Sequence, residues 1–334
     1  MLRNERAATP LSGRCVKAAL SSNSINAAEL LRKRLEMEAF WRNNQGRDRR
    51  DLKMAIKVEP LDGPMGAIIH GLDSGRPLSD EDFAAVEKAM LDHLAIVVPE
   101  LEENVTWLRD FGRRFGPLVP HVLDQYHHPE TFEVTIIARN TGTSESRDTA
   151  KPAGAFWHSD LSYEENPSDA IFLYATQVPN SGGDTLAANM YMAYDNLPET
   201  TKRRIEGLTA THRWGWNTGG ATPQLNAQQS ATHPDVVHPV VRTHARTGRK
   251  ILYVNPGYVM RINEVSQEES DDLLAELLEY ALDPNIQYRH SWKRKMMLGL
   301  DNRASMHAAV DDYSEPRRML RMIVGCTEKL GRAA

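Results

Sequence analysis

The sequence predicts a mainly β protein with flanking helices, arranged as a β-sandwich or jelly roll rather than as a parallel α/β sheet. Two observations lead there. Short apolar or alternating runs recur along the chain, bounded by Gly, Pro, Asn and Asp. Only a few segments of helical periodicity intervene, and no internal repeat of solenoid or propeller period is present.

The elements follow in order from residue 54. Ile56-Lys57-Val58-Glu59-Pro60 alternates as a short strand, and Gly66-Ala67-Ile68-Ile69-His70-Gly71 reads as a second. Ser79-Asp80-Glu81-Asp82 resembles a capping box and opens a helix running to about His93. Leu94-Ala95-Ile96-Val97-Val98 is then a buried strand that Pro99 ends. Beyond Asn104 a helix carries Trp107, Leu108 and Phe111 at core spacing and stops near Gly116-Pro117. Residues 132–138 are strand-like, and 139–154, rich in Ser, Thr and Gly, form a loop leading to His158. Strands are expected at 170–175, 185–189, 209–214, 240–243, 251–254, 287–292, 296–300 and 320–325, and helices at about 192–197, 199–206 and 267–281.

Residues 1–53 are different. They hold twelve Lys/Arg against six Asp/Glu, a charge of about +6, and leave 28 basic and 39 acidic residues for the remainder. This basic N-terminal extension is expected to be partly helical, over 27–41 with Asn26 as cap, or disordered. It reads either as an appendage or upstream-extended start, with Met54 opening the domain at 54–330, or as an organellar transit peptide. The acidic body argues against a nucleic-acid surface. No apolar run approaches the roughly 18 residues that span a bilayer. Two cysteines, Cys15 and Cys326, give neither a disulfide framework nor a cysteine-rich zinc site, so a reducing, cytoplasmic setting is expected. A small-molecule partner is expected, and a homo-oligomer is compatible with the sequence.

Any metal site must therefore rest on His and carboxylates. Trp157-His158-Ser159-Asp160 offers an imidazole and a carboxylate at i and i+2, which project from one face if the segment is an extended strand. His307, in Asp301-Asn302-Arg303-Ala304-Ser305-Met306-His307, is the candidate third ligand. Two imidazoles and a carboxylate are the facial set that holds non-haem Fe(II) with open positions, although twelve histidines make chance pairs common.

These motifs stand among others. Phe111-Gly112-Arg113-Arg114-Phe115-Gly116-Pro117, Ser181-Gly182-Gly183-Asp184-Thr185, His238-Pro239-Val240-Val241-Arg242-Thr243-His244 and Tyr253-Val254-Asn255 occur in an order and spacing, together with the His158 and His307 segments, that are similar to the taurine dioxygenase and 2,4-dichlorophenoxyacetate dioxygenase family of Fe(II)- and 2-oxoglutarate-dependent oxygenases. The resemblance covers most of 56–330 and none of 1–53. It implies a double-stranded β-helix core, a cupin-like jelly roll, in a 2-oxoglutarate-dependent dioxygenase that hydroxylates a small organic substrate, using O2 and releasing succinate and CO2.

The resemblance also implies roles. His158, Asp160 and His307 would hold Fe(II), and Thr185 with a following arginine would hold the distal carboxylate of 2-oxoglutarate. A gapless count from His307 gives Arg318, whereas a one-residue deletion near Ser314-Glu315-Pro316 gives Arg317 with Arg321. His121 and Arg321 would meet a substrate anion, such as a sulfonate, sulfate ester, phenoxyalkanoate or other carboxylate; His121 reads equally as a loop histidine. Gly154 replaces an asparagine that contacts substrate in the taurine enzyme, which counts against taurine itself. Trp214 and Trp216 are either pocket-lining or core. Two other classes stay in view: a non-catalytic jelly roll that binds a small anion, and a zinc-dependent hydrolase.

Overall fold

A computed structural model describes residues 55–146, 151–222, 231 and 233–327. The extension at 1–53, with its expected helix over 27–41, lies outside the described residues, as do 147–150 of the expected loop. Sixteen strands appear among the described residues: β1 Lys57–Pro60, β2 Ala67–His70, β3 Ala95–Val98, β4 His127–His128, β5 Thr131–Arg139, β6 Ala170–Gln177, β7 Thr185–Asn189, β8 Thr209–His212, β9 Val236–Pro239, β10 Val241–Thr243, β11 Lys250–Leu252, β12 Val259–Ile262, β13 Gln287–His290, β14 Met297–Asp301, β15 Ser305–Ala309 and β16 Arg317–Val324. Helices are α1 Asp80–His93, α2 Val105–Arg113, α3 Met190–Asp195, α4 Glu199–Ile205 and α5 Gln267–Ala281.

The strands build an eight-stranded sheet, β1-β2-β3-β14-β6-β16-β5-β4, two three-stranded sheets, β13-β7-β15 and β12-β8-β9, and a β10-β11 ribbon. Apart from β2 with β3, the paired strands run antiparallel. Side-chain alternation sorts the large sheet into two faces. Ile171 and Ala175 of β6 and Met319 and Ile323 of β16 join Ala187 of β7 and Met306 of β15 in one core, so this face packs on the β13-β7-β15 sheet. Phe172 and Tyr174 of β6 and Leu320, Met322 and Val324 of β16 point the other way, onto Met90, Trp107, Leu108 and Phe111 of the helices. Two sheets enclosing one core, with helices outside, are the jelly roll that the sequence predicts.

The helices start where the sequence places caps. Ser79 Oγ accepts the Asp82 N–H at 3.2 Å at the head of α1, and Asn104 Oδ1 accepts the Trp107 N–H at 3.0 Å at the head of α2. Other expectations need correction. The strand expected at 209–214 ends at His212, because the chain turns through Gly215 in the left-handed region at φ 69°. Strands β4, β9, β12 and β15 were not anticipated. Each has five residues or fewer and gives at most three inward positions, too few for a period to emerge.

Candidate active site

His158, Asp160 and His307 converge, all buried, with one ligand atom from each lying within 4.8 Å of the others. Their meeting is a backbone event. His158 N–H donates to the His307 carbonyl at 3.0 Å and His307 N–H to the His158 carbonyl at 2.8 Å, so the two residues form one hydrogen-bonded antiparallel pair. That pairing brings the ring centroids to 4.3 Å, with the planes tilted by 48°. It also corrects one expectation, since His158 occupies an isolated bridge rather than a regular strand; His307, which follows β14, sits in the middle of the unanticipated β15. Asp160 opens a turn, completed by Leu161 at φ 57°, which swings its carboxylate back toward the two rings.

The donors are arranged for a cation. His158 Nδ1 lies 2.7 Å from the Phe156 carbonyl; an oxygen there can only accept, so Nδ1 carries a proton and Nε2 is the atom turned to the cluster, 3.6 Å from Asp160 Oδ1. Asp160 Oδ2 is buried without a hydrogen-bond partner and lies 4.0 Å from His307 Nε2. Burial pushes the Asp160 carboxyl up, but its charged surroundings, the Arg321 guanidinium first, outweigh that and hold the group ionised. Burial drives His307 down to about 3, so its ring is neutral and able to ligate. A carboxylate oxygen and two imidazoles facing one point fit a divalent transition ion.

The Asp301-Asn302-Arg303 segment holds this arrangement together. Asn302 Oδ1 accepts the Asp160 N–H at 2.9 Å while its Nδ2 donates to the Asp160 carbonyl at 2.9 Å and to Ser168, so one side chain clasps both backbone groups of the carboxylate residue. Asp301, fully buried, accepts from the Arg303 guanidinium and lies 3.1 Å from His244 Nε2, anchoring the turn into β15. Ser159 points away from the cluster to the Ser305 carbonyl.

Strand alternation separates the arginines. Arg317 and Arg321 share the phase of Met319 and Ile323, the face turned toward the interior; Arg318 shares the phase of Leu320 and Met322. Arg321 Nη1 lies 3.7 Å from Asp160 Oδ1, and its Nε is buried without a partner. Arg317 is 8% exposed, and among the described residues no carboxylate pairs with it; its Nε donates to the Gly183 carbonyl at 3.2 Å. Burial pushes this guanidinium below the usual arginine range. Arg318 instead binds Glu145 through two donors, at 2.7 and 3.1 Å, and the structure does not bring it to the cluster. Thr185, the first residue of β7, is buried and follows the Gly182-Gly183 turn. A Cβ on Gly182, at φ 77°, would meet the Asp312 carbonyl oxygen at 2.6 Å, so the close approach demands glycine.

On the other side, His121 is within electrostatic reach of Arg321 and Asp160. Burial, then the Arg321 charge, lowers it to about 4, and its Nδ1 accepts the Leu123 N–H at 3.0 Å. Gly154 packs against the His158 ring, where a Cβ would lie 3.1 Å from Cε1. Trp214 stacks edge-on to Tyr163 at 4.5 Å, while Trp216 is 47% exposed and away from the core. Three aromatic residues near the triad were missed from sequence: Phe156, 4.6 Å from the His158 ring; Tyr258, 6.0 Å from it; and Tyr163, 4.8 Å from Tyr258. Burial raises both tyrosine hydroxyls, leaving them protonated donors. Tyr163 follows Asp160 by three residues, the one sequence signal that could have found it.

Comparison with known proteins agrees with this geometry. Residues 57–323 match the model of the taurine catabolism dioxygenase TauD, TfdA family. The α-ketoglutarate-dependent 2,4-dichlorophenoxyacetate dioxygenase of Burkholderia sp. (strain RASC) is 34% identical over 282 residues, 80% of this chain and 93% of that protein. An alkylsulfatase of Acinetobacter baylyi is 28% identical over 278 residues, 80% of this chain and 84% of that protein. The solved structure of AAD-2 in complex with Mn(II) and N-oxalylglycine superposes with a TM-score of 0.68 at 28% identity, covering 83% of this chain and all of that one. The match to the family model over most of the chain and the identity to the Burkholderia enzyme together place it: this chain belongs to the taurine catabolism dioxygenase TauD, TfdA family.

Proposed function

We propose that the chain is an Fe(II)- and 2-oxoglutarate-dependent dioxygenase that hydroxylates a small anionic organic molecule. The observation that carries the reading is Arg317, a buried cation with no carboxylate in contact among the described residues, held at the Gly183 carbonyl two residues before Thr185 and on the face of its strand that also carries Arg321. An unpaired charge in a core is costly, so such a group is retained for an incoming anion. The distal carboxylate of 2-oxoglutarate answers both Arg317 and Thr185, and its keto acid would reach the ion held by His158, Asp160 and His307. When bound, the metal with 2-oxoglutarate and O2 supplies an oxidative decarboxylation to succinate and CO2 coupled to hydroxylation of a C–H bond.

The chain's own groups then govern the substrate. Arg321, with a buried Nε lacking a partner, and neutral His121 offer donors to a sulfonate, sulfate ester or carboxylate, and Phe156, Tyr163 and Tyr258 give the remaining wall an aromatic surface. The aromatic wall favours a phenoxyalkanoate or other aryl-bearing anion over a compact aminosulfonate. Anaerobic addition of Fe(II) and 2-oxoglutarate should give a weak visible charge-transfer band, and a panel of sulfonates, sulfate esters and phenoxyalkanoates should release succinate in proportion to product. Absence of both signals would turn the reading to the anion-binding alternative; metal-dependent hydrolysis without O2 uptake would turn it to the zinc hydrolase.

A further inference from the structure

Thr185 Oγ1 accepts a hydrogen bond from Trp292 Nε1 at 3.0 Å, with both residues buried. An indole N–H can only donate, so this contact uses one lone pair of the hydroxyl and leaves its proton unassigned. Among the described residues no acceptor takes that proton. A buried hydroxyl held as an acceptor on one side is thereby a donor on the other, and it needs an oxygen there.

The indole is itself held. His290 lies directly opposite Thr185 across the β13–β7 ladder, its ring meets Trp292 edge-on at 4.3 Å and 89°, and its Nδ1 is 3.0 Å from the Tyr288 hydroxyl. Tyr288, His290 and Trp292 alternate along one side of the same segment, so each fixes the next. The chain of contacts runs from the hydroxyl of half-buried Tyr288 through buried His290 and Trp292 to the Thr185 oxygen.

We infer that Trp292 is a positioning residue, which acts through Thr185 by turning the threonine hydroxyl proton toward the distal carboxylate of the bound co-substrate. Without the indole donor the hydroxyl can rotate and spend its proton elsewhere, and the carboxylate loses a pre-aimed hydrogen bond. The inference rests on reading Thr185 as an anchor of 2-oxoglutarate.

The test is a double-mutant cycle of Trp292→Phe and Thr185→Ala, read as the dissociation constant of 2-oxoglutarate in anaerobic Fe(II) protein and of N-oxalylglycine in Mn(II) protein, neither of which requires turnover. Each single variant is expected to weaken binding roughly threefold to tenfold, and the double variant no further than Thr185→Ala alone. Metal affinity without co-substrate should be unchanged. If Thr185→Ala weakens binding while Trp292→Phe leaves it within about twofold, or if the two effects simply multiply, the positioning role is overturned and the anchor reading survives. If Thr185→Ala itself leaves binding unchanged, both are overturned. Should Trp292→Phe not fold, Trp292→Met, which also removes the donor, carries the same comparison.

Discussion

Replacing Arg317 and Arg318 separately by Met should give opposite signatures, because the two neighbours stand on opposite faces of β16. In the protein without co-substrate, Arg317 is a buried cation with no carboxylate in contact among the described residues; its Nε donates to the Gly183 carbonyl at 3.2 Å, and Tyr313 and the more distant Asp184 also support its charge. Substitution by an apolar side chain of similar length removes a buried charge that no contacting carboxylate offsets, so unfolding stability is expected to stay level or rise. Co-substrate binding should collapse, since losing one partner of a buried charge pair costs about 3–5 kcal/mol, or roughly two to three and a half decades in Kd. Arg318 is the reverse. Its two bonds to Glu145 join side chains that are 19% and 34% exposed, and such a pair contributes at most about 1 kcal/mol to stability. Arg318→Met should lower stability by that amount and leave 2-oxoglutarate affinity within about twofold. Anaerobic titration of the Fe(II) protein with 2-oxoglutarate gives the affinities, and urea unfolding gives the stabilities. A larger loss of affinity in Arg318→Met than in Arg317→Met would refute the facing argument and restore the gapless register.

Three further outcomes follow from the geometry. His158→Ala and Asp160→Ala should each abolish iron retention and substrate-dependent succinate formation, checked by metal analysis after anaerobic purification; full activity in either would remove the metal-site proposal. Asn302→Ala strands the Asp160 N–H in a dry site and leaves its carbonyl with the Ser168 hydroxyl alone, and should cost about 1–3 kcal/mol in urea unfolding while weakening Fe(II) affinity. Stability should also fall with acid. Burial lowers His238 and His290 to about 4 from 6.5, so the folded state binds fewer protons than the unfolded chain between those values. Their contribution is complete above pH 6.5 and is lost as pH falls toward 4, at up to about 1.4 kcal/mol per pH unit for each histidine. Urea unfolding between pH 7 and 5 should show this slope, flattened in a His290→Phe variant; an unchanged slope in that variant would contradict it.

The sequence could name the cluster members because the motif stretches are contiguous, but it could not show how they meet. The i, i+2 argument put His158 and Asp160 together by a route the structure does not take: the two side chains converge through a bridge to His307 and a turn at Leu161, not along one strand face. The partners that hold the site lie far apart in the chain, Asn302 142 residues from Asp160 and Trp292 107 from Thr185, and no local period reports such pairings. The choice among Arg317, Arg318 and Arg321 shows where pattern reading stops. A half-exposed strand would have revealed its inner face by polar alternation, yet β16 is buried on both sides, with Met319 and Ile323 in one core and Leu320 and Met322 in the other. Hydropathy is then silent about which face meets the site, and only the constant spacing of four between Arg317 and Arg321 points to one face. The same burial gives that spacing its weight. The two arginines on the inner face, Arg317 and Arg321, cannot reach water freely, so each requires an anion from within: Arg321 has Asp160 nearby, and Arg317, with no carboxylate in contact, is left to be answered by what binds.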